Sequence, residues 1–338
     1  MVKIVLSIFI VIILSNNIYA VINKTVKIKQ YESLVNESDA FIIADPETME
    51  IIAMSNEAIS LRKVFPIGSL MKPLTATVLL EKNVITPNNE IVCKGKYILP
   101  NDNRLTITDL KFMNIITENN NKYVGCSLGS GHGIVTLTTA IAKSCNVYFL
   151  NNVKSAQIDF YSSLIGLWFL NDSTDSRLGS FECKPFVEKN PSEMQKVMAA
   201  IGEGGAIKLT PIKVIQIYSA IFKGTPMFSP FYGNNIKVIE QHSLKIKPGN
   251  LNILQMSLRQ VTSDGTLSKL KISNNNIRIF GGKTGSATMQ GEKYLTHGWN
   301  CIFFGFKGRD LVLLTFVYNG VGSKQAKNYS EKILNSLY

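Results

Sequence analysis

Three short groups of residues could do chemistry together. Ser69-Leu70-Met71-Lys72 sets a serine three residues before a lysine. On a helix such residues share a face and touch. A serine hydroxyl is a weak nucleophile and needs a neighbouring base. A lysine can be that base once burial or a second cation lowers its pKa. A serine at a helix start also lies beside free backbone N–H groups and the positive end of the dipole, the raw material of an oxyanion hole. Ser60–Lys63 and Ser268–Lys271 share the spacing. Only Ser69 follows a turn, Pro66-Ile67-Gly68, and opens an amphipathic helix. Leu70, Leu74 and Val78 recur every fourth residue there, which predicts a helix to about Lys82.

The second group is Lys283-Thr284-Gly285-Ser286, inside an apolar run that reads as a strand. Lys283 brings positive charge, Thr284 and Ser286 bring hydroxyls, and Gly285 leaves room for a substrate backbone. A phosphate loop is excluded, because its first glycine would fall at Ile277. The third group, Ser144-Cys145-Asn146, offers a hydroxyl and an amide within or just after a helical stretch.

The elements around them read as follows. Phe41–Ala44 and Ile51–Met54 are short apolar runs joined by Asp45-Pro46-Glu47-Thr48, which predicts a β-hairpin. Helices are expected over 136–150, 211–222 and 251–261. Strands are expected over 282–289, 299–306 and 311–318, with a turn at Lys307–Asp310. A last helix carries Ala326, Tyr329, Ile333 and Leu337 on one face. The pattern predicts an α+β fold. N- and C-terminal strands form one antiparallel sheet flanked by helices, with a large, mostly helical insertion between them.

Met1-Val2-Lys3, the apolar run Ile4–Leu14 and a polar stretch ending at Ala20 have the three parts of a secretory signal. The run is short for a membrane span, which needs about 20 residues. Residues 1–20 are thus a cleaved signal or an N-terminal anchor, residues 21–39 a linker, and residues 40–338 the domain. Export makes nucleic acid an unsuitable partner for the charge of +12 and matches it to anionic lipids and envelope polymers. The cysteines are Cys93, Cys126, Cys145, Cys183 and Cys301. Cys93 and Cys126 are the expected disulfide pair. No CxxC is present and the three histidines lack ligand spacing, so neither metal nor cofactor is expected.

Ser-x-x-Lys, Ser-x-Asn and Lys-Thr-Gly, in this order, form the signature of penicillin-binding proteins and class A β-lactamases. From about Phe41 onward the chain resembles a penicillin-binding protein transpeptidase domain. Gly131-His132-Gly133 ahead of Ser144-Cys145-Asn146, Ile201-Gly202-Glu203-Gly204 before Leu209-Thr210-Pro211, and Gly265-Thr266 extend the resemblance. So do Trp299 and Gly305-Phe306. It implies a β-lactamase/transpeptidase-like fold and an acyl-serine mechanism on D-alanyl-D-alanine stem peptides of peptidoglycan, with β-lactams as covalent ligands. Ser69 is then the nucleophile and Lys72 its base. Ser144 relays a proton to the leaving amine and is placed by Asn146. Lys283 and Thr284 bind the substrate carboxylate, and the backbone N–H groups of Ser69 and Ser286 form the oxyanion hole.

The resemblance leaves D,D-transpeptidase, D,D-carboxypeptidase and β-lactamase open. Glu188 and Asn190 stand near the region of a class A deacylation loop, with different spacing. A penicillin-binding sensor or envelope scaffold is the non-enzymatic alternative. With about 20 residues between Ala20 and the first strand, a stand-alone catalytic domain without a glycosyltransferase is expected. Its place is outside the cytoplasmic membrane.

Overall fold

The computed structural model describes residues 21–22, 31–34, 36–99, 115–118, 121–174, 177–178, 184–233, 237–288 and 295–338. The expected signal or anchor, 1–20, and Cys183 lie outside them.

The core is a six-stranded antiparallel sheet. Its strands are β1 (Val21–Ile22), β2 (Ala40–Ala44), β3 (Ile51–Met54), β4 (Ile277–Thr288), β5 (Thr296–Phe306) and β6 (Arg309–Val317), in the spatial order β1-β3-β2-β6-β5-β4. The two ends of the chain meet where β2 pairs with β6, Ile42 opposite Leu314. All of Ala40–Ala44 is buried, which explains its unbroken apolar run. The expected linker departs from expectation: Val21 pairs with Met54 and Ile22 with Ala53, so it supplies an edge strand. Lys307 and Gly308, with φ of 49° and 76°, join β5 to β6 in a tight turn whose twist suits a hairpin.

Helices cover both faces of the sheet. Those used below are α1 (Met71–Glu81), α2 (Leu137–Ala142), α3 (Asn146–Ser155), α4 (Pro211–Lys223), α5 (Pro248–Ser263) and α6 (Lys327–Ser336). Successive side chains of a strand point to opposite faces. α6 packs where Thr315 Oγ1 meets Ser330 Oγ at 2.9 Å. α4 packs on the other face, where Phe222 stacks on Phe303 with centroids 4.2 Å apart. Thr210 caps α4 by accepting from Lys213 N (3.2 Å), Pro211 fills its first turn, and Gly224 ends it at φ 68°.

The region between β3 and β4 is less helical than expected. It includes short paired strands, Ile91–Cys93 with Gly133–Val135, and Lys96–Ile98 and Ile115–Glu118 on either side of Asn121–Gly125. These carry Tyr97, Ile115 and Val124 into the core, so alternation, not helical periodicity, governs them. Among the described residues no helix is long and apolar enough to cross a membrane.

Candidate active site

Ser69 lies in a single 3₁₀ turn, Gly68–Leu70, that leads directly into α1. The expected helix start is therefore tighter than α-helical. Pro73 is tolerated because it sits in the first turn of α1, where backbone N–H groups have no intrahelical acceptor. The turn is held by backbone approaches that only glycine permits. Gly68, at φ 54°, donates to Gly202 O (3.2 Å), and a Cβ on Gly68 would stand 2.1 Å from Ser286 O. A Cβ on Gly202 would in turn stand 2.1 Å from Gly68 O. Trp299 Nε1 donates to Pro66 O (3.1 Å) and Tyr218 OH to Leu70 O (2.8 Å), tying the turn to β5 and α4.

The expected helix over 136–150 is broken into α2 and α3. Lys143 closes α2, Ser144 takes φ 57°, and Cys145 is extended ahead of α3. A left-handed non-glycine residue is strained and persists where its surroundings demand it. Here the kink turns the Ser144 hydroxyl onto two amines. Lys72 Nζ donates to Ser144 Oγ at 3.3 Å and Lys283 Nζ at 3.1 Å. Lys72 Nζ also donates to Ser69 Oγ at close range. Ser69, Lys72, Ser144 and Lys283, from three stretches of the chain, thus form one continuous network. Thr284 Oγ1 donates to Thr266 Oγ1 (2.8 Å), and Lys283 Nζ also reaches Thr284 O (2.9 Å).

Both lysines are fully buried while Ser69 is only partly so. Burial pulls the Lys72 ammonium down to about 8, against the opposing pull of Cys126, Cys145 and Glu203. Burial, and then the Lys72 charge, hold Lys283 well below its usual range. An amine with a pKa near 8 is neutral in a useful fraction of molecules near neutral pH, which suits a general base.

Three predicted residues have neighbours that the sequence did not show. Asn146 donates its side-chain amide to Gly125 O (2.7 Å), so it fixes the neighbouring segment. The Ser286 hydroxyl accepts from Gly322 N (3.0 Å), so it braces the turn before α6. Gly285 is required by packing: a Cβ there would lie 2.4 Å from Leu70 Cδ1 and 2.6 Å from Ile67 O. The backbone of Ser286 faces the Ser69 turn, since a Cβ on Gly68 would be 3.0 Å from Ser286 N.

The expected Cys93–Cys126 disulfide is not formed. Both thiols are free, and each Sγ lies 3.5 Å from His132 Nδ1. Cys126 Sγ lies 3.7 Å from Cys145 Sγ. Glu188 and Asn190 bond to each other at an exposed position, where Asn190 N donates to Glu188 Oε1 at 3.2 Å.

Sequence reasoning missed the role of Glu203. Its carboxyl is buried, accepts from Thr288 N (3.1 Å), and is raised by burial to about 8. Lys72 acts on it electrostatically. The signal was an acid between Gly202 and Gly204, two glycines with positive φ.

The chain belongs to the penicillin binding protein transpeptidase domain family, which it matches over residues 40–338. It is 23% identical over 305 residues to the peptidoglycan D,D-transpeptidase MrdA of Haemophilus influenzae, a match covering 80% of this chain and 44% of that protein. It is 25% identical over 255 residues to a peptidoglycan D,D-transpeptidase FtsI homolog of Mesostigma viride, covering 67% of this chain and 39% of the other. The chain thus spans less than half the length of these two relatives. The crystal structure of PBPA from Mycobacterium tuberculosis shares the fold, with a TM-score of 0.69 at 17% identity over 88% of this chain and 74% of that one.

Proposed function

We propose that this protein is a peptidoglycan D,D-transpeptidase that acts through an acyl-serine at Ser69. The observation that carries the proposal is the hydrogen bond between Lys72 Nζ and Ser69 Oγ, inside a network that continues through Ser144 to Lys283. Neutral Lys72 takes the Ser69 proton as Oγ attacks the carbonyl of the penultimate D-alanine. The backbone N–H groups of Ser69 and Ser286 hold the oxyanion. Ser144 passes a proton to the amine of the departing D-alanine and is resupplied from Lys72. Lys283 and the Thr284 hydroxyl receive the terminal carboxylate, and an acceptor amine then takes the acyl group. With water as acceptor the same site is a D,D-carboxypeptidase.

β-Lactams imitate the D-alanyl-D-alanine end and acylate the same serine. A fluorescent penicillin should label the purified protein covalently, and Ser69→Ala should not be labelled. Label retained in Ser69→Ala would sink the assignment. The lifetime of the adduct separates the enzymes: hours for a transpeptidase, seconds for a β-lactamase. The proposed place of action is outside the cytoplasmic membrane, reached by export through residues 1–20. The charge of +12 suits that surface.

A further inference from the structure

One short loop touches both walls of the candidate site. It follows the helix Glu193–Ala199 and runs through Gly202, Glu203 and Gly204. Thr75 Oγ1 of α1 donates to Ala200 O (2.8 Å), and Gly68 N donates to Gly202 O (3.2 Å). The loop therefore holds both the helix that carries Lys72 and the turn that carries Ser69. Glu203 N donates to Met198 O (3.1 Å), which anchors the residue to its own helix. Its carboxyl reaches the opposite wall, where Oε2 accepts from Thr288 N (3.1 Å) at the end of β4.

We propose that Glu203 is a positioning residue for acylation: it couples the substrate-side edge of β4 to the Ser69 turn and to the charge of Lys72. Among the described strands, β4 has a neighbour on one side only, β5. Ser286 N and Ser286 O lie on the other side, against Gly68. Backbone groups two residues apart in an antiparallel strand point the same way. Thr288 N therefore faces the same edge as Ser286 N, the proposed oxyanion donor. The Glu203 carboxyl occupies this next donor along the edge. With Gly202 fixing the Ser69 turn and Glu203 fixing Thr288, a single loop sets the gap between Ser69 and the Ser286 N–H.

The charges around Lys72 give the loop its second role. The titratable groups that act on Lys72 are Cys126, Cys145 and Glu203, and Lys283 is the amine that Lys72 acts on. Glu203 is the carboxyl among them. Lys72 and the Thr288 N–H in turn favour the ionised carboxyl, against its burial. An ionised Glu203 favours the Lys72 ammonium, whereas a protonated one releases it. Both groups are buried, so little solvent screens them from each other. They titrate as a coupled pair. Glu203 thus acts on Ser69 through the Gly202 backbone, the Thr288 N–H and the proton of Lys72.

The proposal rests on the acyl-serine reading of Ser69, so its test includes a readout that needs no labelling. Labelling by a fluorescent penicillin is the first readout. Glu203→Ala removes the acceptor of Thr288 N and should lower the plateau rate about 10- to 100-fold, the scale of a small displacement of reacting groups. Glu203→Gln restores the acceptor without the charge. It should recover most of that loss, with the pH inflection moved to lower pH. The second readout is NMR of protein carrying carbon-13 at glutamate Cδ and lysine Cε, assigned with Glu203→Gln and Lys72→Arg. The Glu203 carboxyl should titrate together with Lys72, and the Lys72 titration should move to lower pH in Glu203→Gln. Should the variants not fold, the parent protein decides: one glutamate carboxyl should titrate over the same range as one lysine. The proposal is overturned by a Glu203→Ala plateau equal to that of the parent, by an unmoved inflection in Glu203→Gln, or by a parent in which every glutamate carboxyl titrates in the ordinary acid range. A parent that shows the coupled titration but takes no label would fail the proposed activity alone.

Discussion

Lys72 and Lys283 donate to one and the same oxygen, Ser144 Oγ, at 3.3 and 3.1 Å. Two buried ammonium groups sharing one neutral acceptor repel each other, so the site favours a state in which one of them has lost its proton. The proposed activation of Ser69 requires that Lys72 be the amine that gives up its proton.

The pH dependence of acylation follows from it. With Lys72 lowered to about 8, the neutral amine is scarce at pH 6 and predominant at pH 9. The rate of labelling by a fluorescent penicillin should rise with pH, with an inflection near 8, and then level. Lys72→Arg, which cannot lose its proton, should reduce that rate about 100- to 10,000-fold at every pH. A flat profile in the parent protein would remove Lys72 as the base.

Glu203 should make stability fall between acid and neutral pH. Its folded pKa is raised from 4.5 to about 8, so between those values the folded state binds more protons than the unfolded one. The stabilising contribution is fully present below about 4.5 and is lost as pH rises through about 8. Glu203→Gln keeps an acceptor for Thr288 N and removes the titration. Its melting temperature should vary less over that window than that of the parent, measured by calorimetry at several pH values.

Gly68→Ala should disable the protein. The φ of 54° alone costs about 1–3 kcal/mol for a residue with a side chain. The added Cβ also meets the Ser286 carbonyl at 2.1 Å, a backbone atom of a sheet strand that has no room to yield. Denaturant titration should show the loss of stability. Any folded fraction should label poorly, because the Ser69 turn and the Ser286 N–H are displaced together.

Tyr218→Phe tests the support beneath the proposed nucleophile at small cost in volume. The Tyr218 hydroxyl is buried and donates to Leu70 O at 2.8 Å. Its removal should cost about 0.5–1.5 kcal/mol in denaturant titration. A moderate drop in labelling rate is expected, much smaller than that of Lys72→Arg.

The fold was legible wherever local pattern and burial agree. The hairpin of β2 and β3, the helix after Ser69, and the last three strands all follow from their apolar runs within a few residues, because most of their residues are buried; the helix expected to be amphipathic is buried on every side from Met71 to Leu80. The Ser-x-x-Lys, Ser-x-Asn and Lys-Thr-Gly residues were legible as types. Their partners were not. Asn146 turned to Gly125 O, and the Ser286 hydroxyl to Gly322 N, because a side chain's choice of acceptor depends on what folding brings beside it.

The sequence by itself determined the reactive groups, the sheet-forming ends of the chain and the glycines that let backbones approach. The tertiary structure alone decided the rest. It broke the expected helix at Ser144, whose left-handed backbone places its hydroxyl against both lysines. It placed the Glu203 carboxyl where Lys72 acts on it, and it gathered Cys93, Cys126, His132 and Cys145 from separate stretches of the chain. Linear spacing reports which residues share an element. Convergence of separate elements is set by the packing of the whole core, and that is where this site is made.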